Sequence, residues 1–205
     1  MSLPSVKQAY AFLTPLKGKS SAIVLEGRKT NLFVARFTLN CLATLKSRTL
    51  IFDTSCFYGT NTETLTSGLP EEFLRNTTVV TIGTHSEPER LLAQLVTNEA
   101  SVIIIDDLNA LRSLLSTARR NSSIHELFRL IGILSYEARS RNISVLTTVY
   151  KSANTSSERN SPRSLVAASD FQITAEAQTR SVTFRCDRIG SWPAKTFVAS
   201  VLLRA

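Results

Sequence analysis

Short apolar runs alternate with amphipathic segments along most of this chain. Five runs are rich in branched residues and bounded by turn residues, which predicts strands. The runs cover residues 21–25, 49–53, 78–82, 102–107 and 143–150. Between several of them the apolar residues recur every three or four positions, which predicts helices. These helices cover residues 31–45, 87–98 and roughly 124–141.

The order of these elements predicts the fold class. The run VIII at 102–105 predicts a strand that is buried on both faces, as in a parallel sheet. Strands that alternate with helices predict right-handed β-α-β units. Three further strand-like runs, 170–175, 181–186 and 196–203, predict an antiparallel meander at one edge of the sheet. We therefore expect an α/β protein with a mostly parallel central sheet, flanking helices and antiparallel C-terminal edge strands.

The length of the chain and its polar stretches indicate how its domains are organised. A chain of 205 residues suits a single domain with a sizeable core. We expect an N-terminal segment at 1–19 and a core at 20–203, with no internal repeat. The polar stretches at 55–72 and 151–166 are interpreted as loops within this domain.

The composition is that of an ordinary globular protein, with 43% hydrophobic and 20% charged residues. No apolar run reaches the roughly 18 residues that cross a bilayer, and no secretory signal is visible. The three cysteines, Cys41, Cys56 and Cys186, are odd in number and far apart, and His85 and His125 stand alone. We therefore expect an intracellular protein without a disulfide framework, a metal site or a membrane partner.

The charge is unevenly distributed along the chain. The net charge is +8, and the first fifty residues carry eight Lys or Arg against one acid, whereas residues 51–100 carry two against seven. A basic chain favours polyanionic partners, and nucleic acid comes first among them. The alternative is that the charge serves solubility alone.

The stretch VLEGRKTNLF at 24–33 has the order of parts of a phosphate-binding loop. A predicted strand runs into Gly27, then Lys29 and Thr30, then a predicted helix. The motif requires four residues between its first glycine and Gly-Lys-Ser/Thr, but here only Arg28 separates Gly27 from Lys29. Backbone N–H groups of the complete loop surround the phosphates, and Lys29 and Thr30 alone cannot replace them.

The stretch LIFDTSCF at 50–57 extends this pattern. In order and spacing, residues 20–203 resemble the ATPase core of the RecA superfamily, specifically the RadA-like recombinases and their paralogs. The resemblance implies an Asp-Thr-Glu-Gly sequence after the strand, in which the Glu orients the attacking water. This chain keeps the Asp and the Thr but has Ser55 and Cys56 at the last two positions. A serine cannot accept the proton of water as a carboxylate can.

Two further positions follow from the resemblance. VIIIDD at 102–107 aligns Asp106 with the Walker B aspartate, which holds magnesium through water. The alternative for Asp106 is that it caps the helix that follows it. At the end of the next strand the family has Asn-Gln, with a Gln that senses the γ-phosphate, and this chain has Thr148 and Val149.

Three of the four catalytic positions therefore lack the required groups. This combination predicts a pseudo-ATPase that is not an enzyme and uses no cofactor. The degenerate nucleotide site that we predict consists of Gly27, Lys29, Thr30, Asp53 and Asp106.

Two loops line the DNA path in RadA-like proteins, and the resemblance places them at 116–123 and 151–166. Both are rich in Ser, Thr and Asn and poor in acids, as expected for phosphate contacts that do not read sequence. The residues predicted to bind DNA are Arg119, Arg120, Lys151, Arg159 and Arg163. No aromatic residue lies inside 151–166, which favours backbone contacts over base stacking. The alternative is a mobile, solvated loop.

The sequence thus predicts a non-catalytic RecA/RadA paralog that binds DNA without ATP and assists recombination or repair. One alternative is an interaction subunit that pairs with an active RecA-family ATPase in an oligomer. The other is a weak ATPase with an unusual phosphate loop, using Lys29, Thr30 and Asp106. Tyr10 and Phe12 allow either a strand added to a neighbouring subunit or a small helix packed on the core.

Overall fold

The strands of the protein form one mixed sheet. In the computed structural model, the described residues are 5–26, 28–82, 93–94, 99–118, 123–150, 169–177, 181–188 and 200–202. The strands are β1 (Ser20–Glu26), β2 (Thr49–Asp53), β3 (Thr77–Thr81), β4 (Val102–Asp106), β5 (Ser144–Tyr150), β6 (Phe171–Ala177), β7 (Ser181–Arg188) and β8 (Ser200–Leu202). They are ordered β3-β2-β4-β5-β1-β6-β7-β8.

Seven α-helices accompany these strands in the described part of the chain. They are α1 (Val6–Leu13), α2 (Arg28–Thr44), α3 (Phe57–Thr60), α4 (Thr62–Thr66), α5 (Glu71–Arg75), α6 (Leu108–Ala118) and α7 (Ser123–Ser140). A short 3-10 helix, Thr14–Leu16, follows α1. None of the described helices has the length and the apolar character that a membrane crossing requires.

The predicted mixture of parallel and antiparallel strands is confirmed. All neighbouring pairs from β3 to β6 are parallel. The chain then turns back, so that β6–β7 and β7–β8 are antiparallel at the C-terminal edge. Every residue of β4 is buried, as its run of branched apolar residues predicts.

The sheet separates two apolar layers. Because side chains alternate across a strand, Ile51 and Ile104 face one layer, whereas Phe52 and Ile105 face the other. The first layer contains the apolar residues of α1 and α2, and the second contains those of α6 and α7. Each face of the sheet is therefore covered by helices, as expected for a parallel sheet.

The N-terminal segment forms a helix that packs on the core, which is the second of the two alternatives for this segment. Ser5 and Gln8 form a capping box at the start of α1. The ring of Phe12 is 3% exposed and lies 5.2 Å from that of Phe37 and 5.4 Å from that of Phe184. Tyr10, on the outer side of α1, is 56% exposed.

The interpretation of residues 55–72 as a loop is wrong. This polar stretch contains α3 and α4 and leads into α5. Its few apolar side chains are buried in the first layer, namely Tyr58, Leu65, Leu69 and, in α5, Phe73. Their spacing of four to seven residues lets successive short helical turns cover the sheet, a pattern hidden by the many Thr, Gly and Glu residues between them.

Other boundaries differ more modestly. Helix α2 begins at Arg28, three residues before the predicted start, because the chain enters the helix directly after Gly27. Of the predicted helix at 87–98, the structure describes only Ala93 and Gln94, which are helical. The predicted loop at 151–166 lies outside the described residues, as do 119–122 of the predicted loop at 116–123.

We expect Phe12→Ala to lower the free energy of unfolding by about 3–5 kcal/mol, because it removes a buried ring between two others. Tyr10→Ala, in the same helix but on its exposed side, is expected to change stability by no more than about 0.5 kcal/mol. Urea unfolding followed by circular dichroism measures both values. Equal losses for the two variants would contradict the packing of α1 described above.

Candidate functional site

Two aspartates lie side by side at the ends of neighbouring parallel strands. We call the side of the sheet where the parallel strands end its carboxyl edge. Asp53 is the last residue of β2, Asp106 is the last residue of β4, and the two are register partners. Adjacent partners in parallel strands project to the same face of the sheet. This is the face covered by α2, since Ile51 and Ile104 lie two residues earlier in the same strands.

Asp106 is held by two hydroxyl groups. Ser55 donates a hydrogen bond to its Oδ2, and Thr148 donates one to its Oδ1 over 3.3 Å. The side chain is buried, and burial together with the charges of Asp53 and Asp107 raises the pKa of Asp106 to about 6, although both hydroxyl groups oppose the shift. The resemblance implies a water-orienting Glu at position 55. The chain instead has Ser55 there, and its hydroxyl donates to the carboxylate of Asp106.

Asp53 is fully buried and has one hydrogen-bonded oxygen. The backbone N–H of Gly59, in α3, donates to its Oδ2 over 2.8 Å. Its Oδ1 is also buried and accepts no hydrogen bond from any residue that the structure describes. A buried oxygen without a donor is unusual in a folded protein, and it makes Asp53 the least satisfied polar group of the site.

A second set of contacts fixes the backbone that follows β4. Thr54 donates to the carbonyl oxygens of Asp106 and Asp107, the latter over 3.0 Å. The N–H of Asp107 donates to the hydroxyl of Thr148 over 2.8 Å. The Oδ1 of Asp107 accepts from the N–H groups of Asn109 at 2.9 Å and Ala110 at 3.2 Å. Asp107 therefore caps α6, and the alternative that assigned this role to Asp106 is wrong.

Helix α2 begins almost directly at the end of β1. The strand ends at Glu26 and the helix starts at Arg28, so one residue joins them. Thr30 and Asn31, in the first turns of this helix, are buried, and the side-chain amide of Asn31 donates to the hydroxyl of Tyr150. No sequence pattern pairs Asn31 with Tyr150, because only the folded sheet brings the end of β5 beside the start of α2.

Tyr58 closes the site from the side of α3. It is buried, and this burial raises the pKa of its phenol, which the negative charges of Asp106 and Asp53 raise further. The side chains of the chain itself thus shield both carboxylates from solvent. Tyr58 stands five residues after Asp53 in a polar stretch, and nothing in that stretch signals its role.

Cys56 has a backbone φ of 59°, in the left-handed region. This conformation favours glycine, and the resemblance places a glycine at this position. The turn after β2 therefore keeps the backbone shape expected there although the glycine has been replaced.

The remaining predicted site residues lie apart from this arrangement or outside the description. Lys29 belongs to the first turn of α2. Gly27 lies outside the described residues, and so does the whole set predicted to bind DNA, which comprises Arg119, Arg120, Lys151, Arg159 and Arg163. Within the described ranges, no group of three or more His, Cys, Asp or Glu residues is arranged to hold a metal ion.

We expect Asp106→Asn to gain stability relative to the wild type as the pH rises. The folded-state pKa is raised from 3.8 to about 6, so the folded wild type binds the proton more tightly than the unfolded chain between these values. Its stability therefore falls as pH rises through this window, by about 3 kcal/mol, and an asparagine avoids that loss.

Urea unfolding of both proteins from pH 4 to pH 8 tests this prediction. Glu71→Gln, which removes an exposed carboxylate paired with Arg75, serves as the control and is expected to follow the wild type. A stability difference between Asp106→Asn and the wild type that is constant across this pH range would contradict the assignment.

Comparisons with known proteins place the fold. No protein-family model matches this chain, and no curated protein sequence does so either. A solved structure described as the RadB recombinase superposes with a TM-score of 0.67 at 20% identity, covering 90% of this chain and 87% of that one. A KaiC-like protein from the hyperthermophilic archaeon Pyrococcus horikoshii superposes with a TM-score of 0.64 at 12% identity, covering 90% and 85%. The chain therefore has the RecA-like fold of recombinase-type proteins, as the sequence predicts.

Proposed function

We propose that this protein is a non-catalytic RecA/RadA-type paralog that binds DNA without ATP and assists recombination or DNA repair. The observation that carries the proposal is the passage from β1 to α2 through a single residue. A phosphate loop needs several consecutive backbone N–H groups that curve around the phosphates ahead of the helix. One linking residue supplies no such curve.

The contacts of the carboxylates support the same conclusion. Ser55, which stands where a water-activating carboxylate is expected, donates to Asp106 and is an ineffective proton acceptor. Thr148 divides its hydrogen bonds between Asp106 and the backbone of Asp107. Both hydroxyl groups therefore hold the protein together at the position where nucleotide chemistry would take place.

The distribution of charge supports DNA as the partner. Five ion pairs between described residues lie near the amino ends of the strands, where basic side chains meet carboxylates. They are Lys46–Glu72, Arg48–Glu99, Arg75–Glu71, Arg139–Asp170 and Arg141–Glu137. The stretches 116–123 and 151–166 carry five basic residues and only one acid, Glu158. The basic residues that we propose as DNA contacts thus belong to stretches of the sequence that contain few acids.

These segments continue from elements that border the site. Residue 151 follows the end of β5 at the carboxyl edge, next to Tyr150. One of the similar structures is described as a recombinase, and the proposal carries that class of function to this chain. Lys and Arg side chains in such segments bind the phosphates without reading the sequence of bases.

An interaction subunit is the second candidate, and strand β3 favours it. Among the described strands, β3 lies at one end of the sheet and pairs only with β2. Its residues, Thr77–Thr81, are all branched at Cβ and carry no charge, and Val79 is 47% exposed. An uncharged strand edge is suited to pairing with a strand of another chain. Under this proposal a RecA-family ATPase provides that strand, and the basic segments contribute little.

We expect the wild-type protein to bind single- or double-stranded DNA in a salt-dependent manner, with the same affinity with and without Mg-ATP. Fluorescence titrations at several salt concentrations measure this. Replacing Arg159 and Arg163 by Ala is expected to weaken binding and to flatten the plot of log affinity against log salt by about 0.7 per lost contact on single strands.

The matched control is Lys46→Ala with Arg75→Ala, which also removes two positive charges, but from ion-paired positions near the amino ends of the strands. It is expected to keep the affinity and the salt slope of the wild type. Binding that ignores salt, or equal effects in both double variants, would refute the assignment of these segments. No DNA binding at low salt, together with a stable complex with a RecA-family ATPase, would favour the second candidate.

A further inference from the structure

Helix α7 presents a stripe of exposed residues on the side away from the sheet. Arg129, Gly132, Tyr136 and Arg139 are exposed, and their spacing of three and four residues places them on one helix face. The opposite face of the helix packs on the second apolar layer through Leu127, Leu130, Ile131, Leu134 and Ala138. Tyr136 is 69% exposed, the largest value among the exposed large hydrophobic side chains of the described residues.

Gly132 leaves open space beside this tyrosine. A Cβ atom at position 132 would meet no atom within 4 Å, and the backbone there is helical without a positive φ. Neither packing nor backbone conformation therefore requires glycine, although glycine destabilises a helix relative to alanine. A side chain at position 132 would stand on the same helix face as Tyr136, one turn before it. With no side chain at that position, the ring stays accessible.

The charges around the ring favour an anionic ligand. Arg129 makes no ion pair with any described residue, and it lies one turn before Gly132. Arg139 pairs with Asp170 at 2.8 Å but keeps 62% of its side chain exposed. The nearest acid on the helix, Glu137, is only 21% exposed and pairs with Arg141 at 3.8 Å. Among the side chains that the structure describes on this helix, the stripe therefore offers one aromatic ring and at least one available cation, with no exposed acid.

The extent of the apolar surface distinguishes a nucleic acid from a protein partner. A stable protein interface buries about 800 Å² on each partner around an apolar centre. The other exposed large hydrophobic side chains of the described residues, Val6, Tyr10, Leu74 and Val79, lie on α1, α5 and β3. Tyr136 is thus isolated on α7. A single exposed ring suits a single stacked base.

We propose that the outward face of α7 binds single-stranded DNA, with a base stacked on Tyr136 and Arg129 in contact with a phosphate. This inference rests on the proposed DNA-binding function and deepens it. Residues 119–122 directly precede α7, and Tyr136 lies thirteen residues after Ser123, which corresponds to about 20 Å along the helix. The stripe therefore belongs to the helix that follows the predicted DNA-binding residues Arg119 and Arg120 along the chain.

The test compares two fluorescent probes at low salt, a thymidine oligonucleotide and an abasic backbone of the same length. Stacking on Tyr136 predicts that Tyr136→Ala binds the thymidine probe about 10-fold more weakly, while the affinity for the abasic probe is unchanged. Tyr136→Phe retains the ring and is expected to bind as the wild type does. The matched control is Tyr10→Ala, which removes an exposed tyrosine from α1 and is expected to leave both affinities unchanged.

Gly132→Leu separates the stacking surface from effects on folding. The leucine is expected to raise the melting temperature, because it replaces a helix-destabilising glycine in open space. It is also expected to weaken binding of the thymidine probe, because it covers the ring. A more stable variant with weaker binding cannot be explained by misfolding.

The outcomes distinguish this inference from the function on which it rests. If the wild type binds the thymidine probe and Tyr136→Ala binds it equally well, stacking on α7 is refuted while DNA binding stands. Equal losses of affinity for both probes also refute stacking. The abasic probe has no base, so the ring would then affect binding of the DNA backbone. If the wild type binds neither these probes nor a DNA duplex at low salt, both proposals are overturned, whereas binding of the duplex alone overturns only this inference.

Discussion

Two buried carboxylates that end neighbouring strands are the constraint around which this site is built. Asp53 and Asp106 are register partners, and neither has access to solvent. Charges in such a position require donors, opposite charges or protonation. The chain supplies the donors itself, through Ser55, Thr148 and the backbone of Gly59. The hydrogen bonds to Asp53 and Asp106 therefore connect the turn after β2, the end of β5 and helix α3.

These hydrogen bonds within the protein occur beside a very short connection, since a single residue joins β1 to α2. A helix that begins one residue after the strand leaves no extended loop to surround phosphates, and its buried Asn31 instead donates to Tyr150 across the site. The stretches 116–123 and 151–166 of the sequence carry five basic residues and one acid. The fold thus gathers the two buried carboxylates at the carboxyl edge of the sheet, with one oxygen of Asp53 left without a donor among the described residues. The DNA contacts that we propose involve those stretches and the outward face of α7.

The sequence predicts the sheet well, because patterns of branched apolar residues are local signals. The run at 102–105 predicts β4, and the three strand-like runs at 170–175, 181–186 and 196–203 predict the antiparallel edge. The short helices after β2 could not be predicted, since Tyr58, Leu65 and Phe73 are too sparse to show a period. The partners of Asp106 were equally hidden, because Ser55 and Thr148 are 93 residues apart and meet only across the sheet. The assignment of the helix cap to the second aspartate, Asp107, depends on a positive φ that no pattern reveals.

The most direct test of the central claim is thermal unfolding with Mg-ATP, compared with Mg²⁺ alone. A nucleotide that binds only the folded protein stabilises it, and 1 mM ligand with a Kd of about 10 μM would raise the melting temperature by roughly 5–10 °C. We predict no shift, because the groups that would surround the phosphates are missing and the carboxylates are bound to the protein's own donors. A concentration-dependent rise with Mg-ATP would contradict the account and would establish a working nucleotide site that uses Lys29, Thr30 and Asp106.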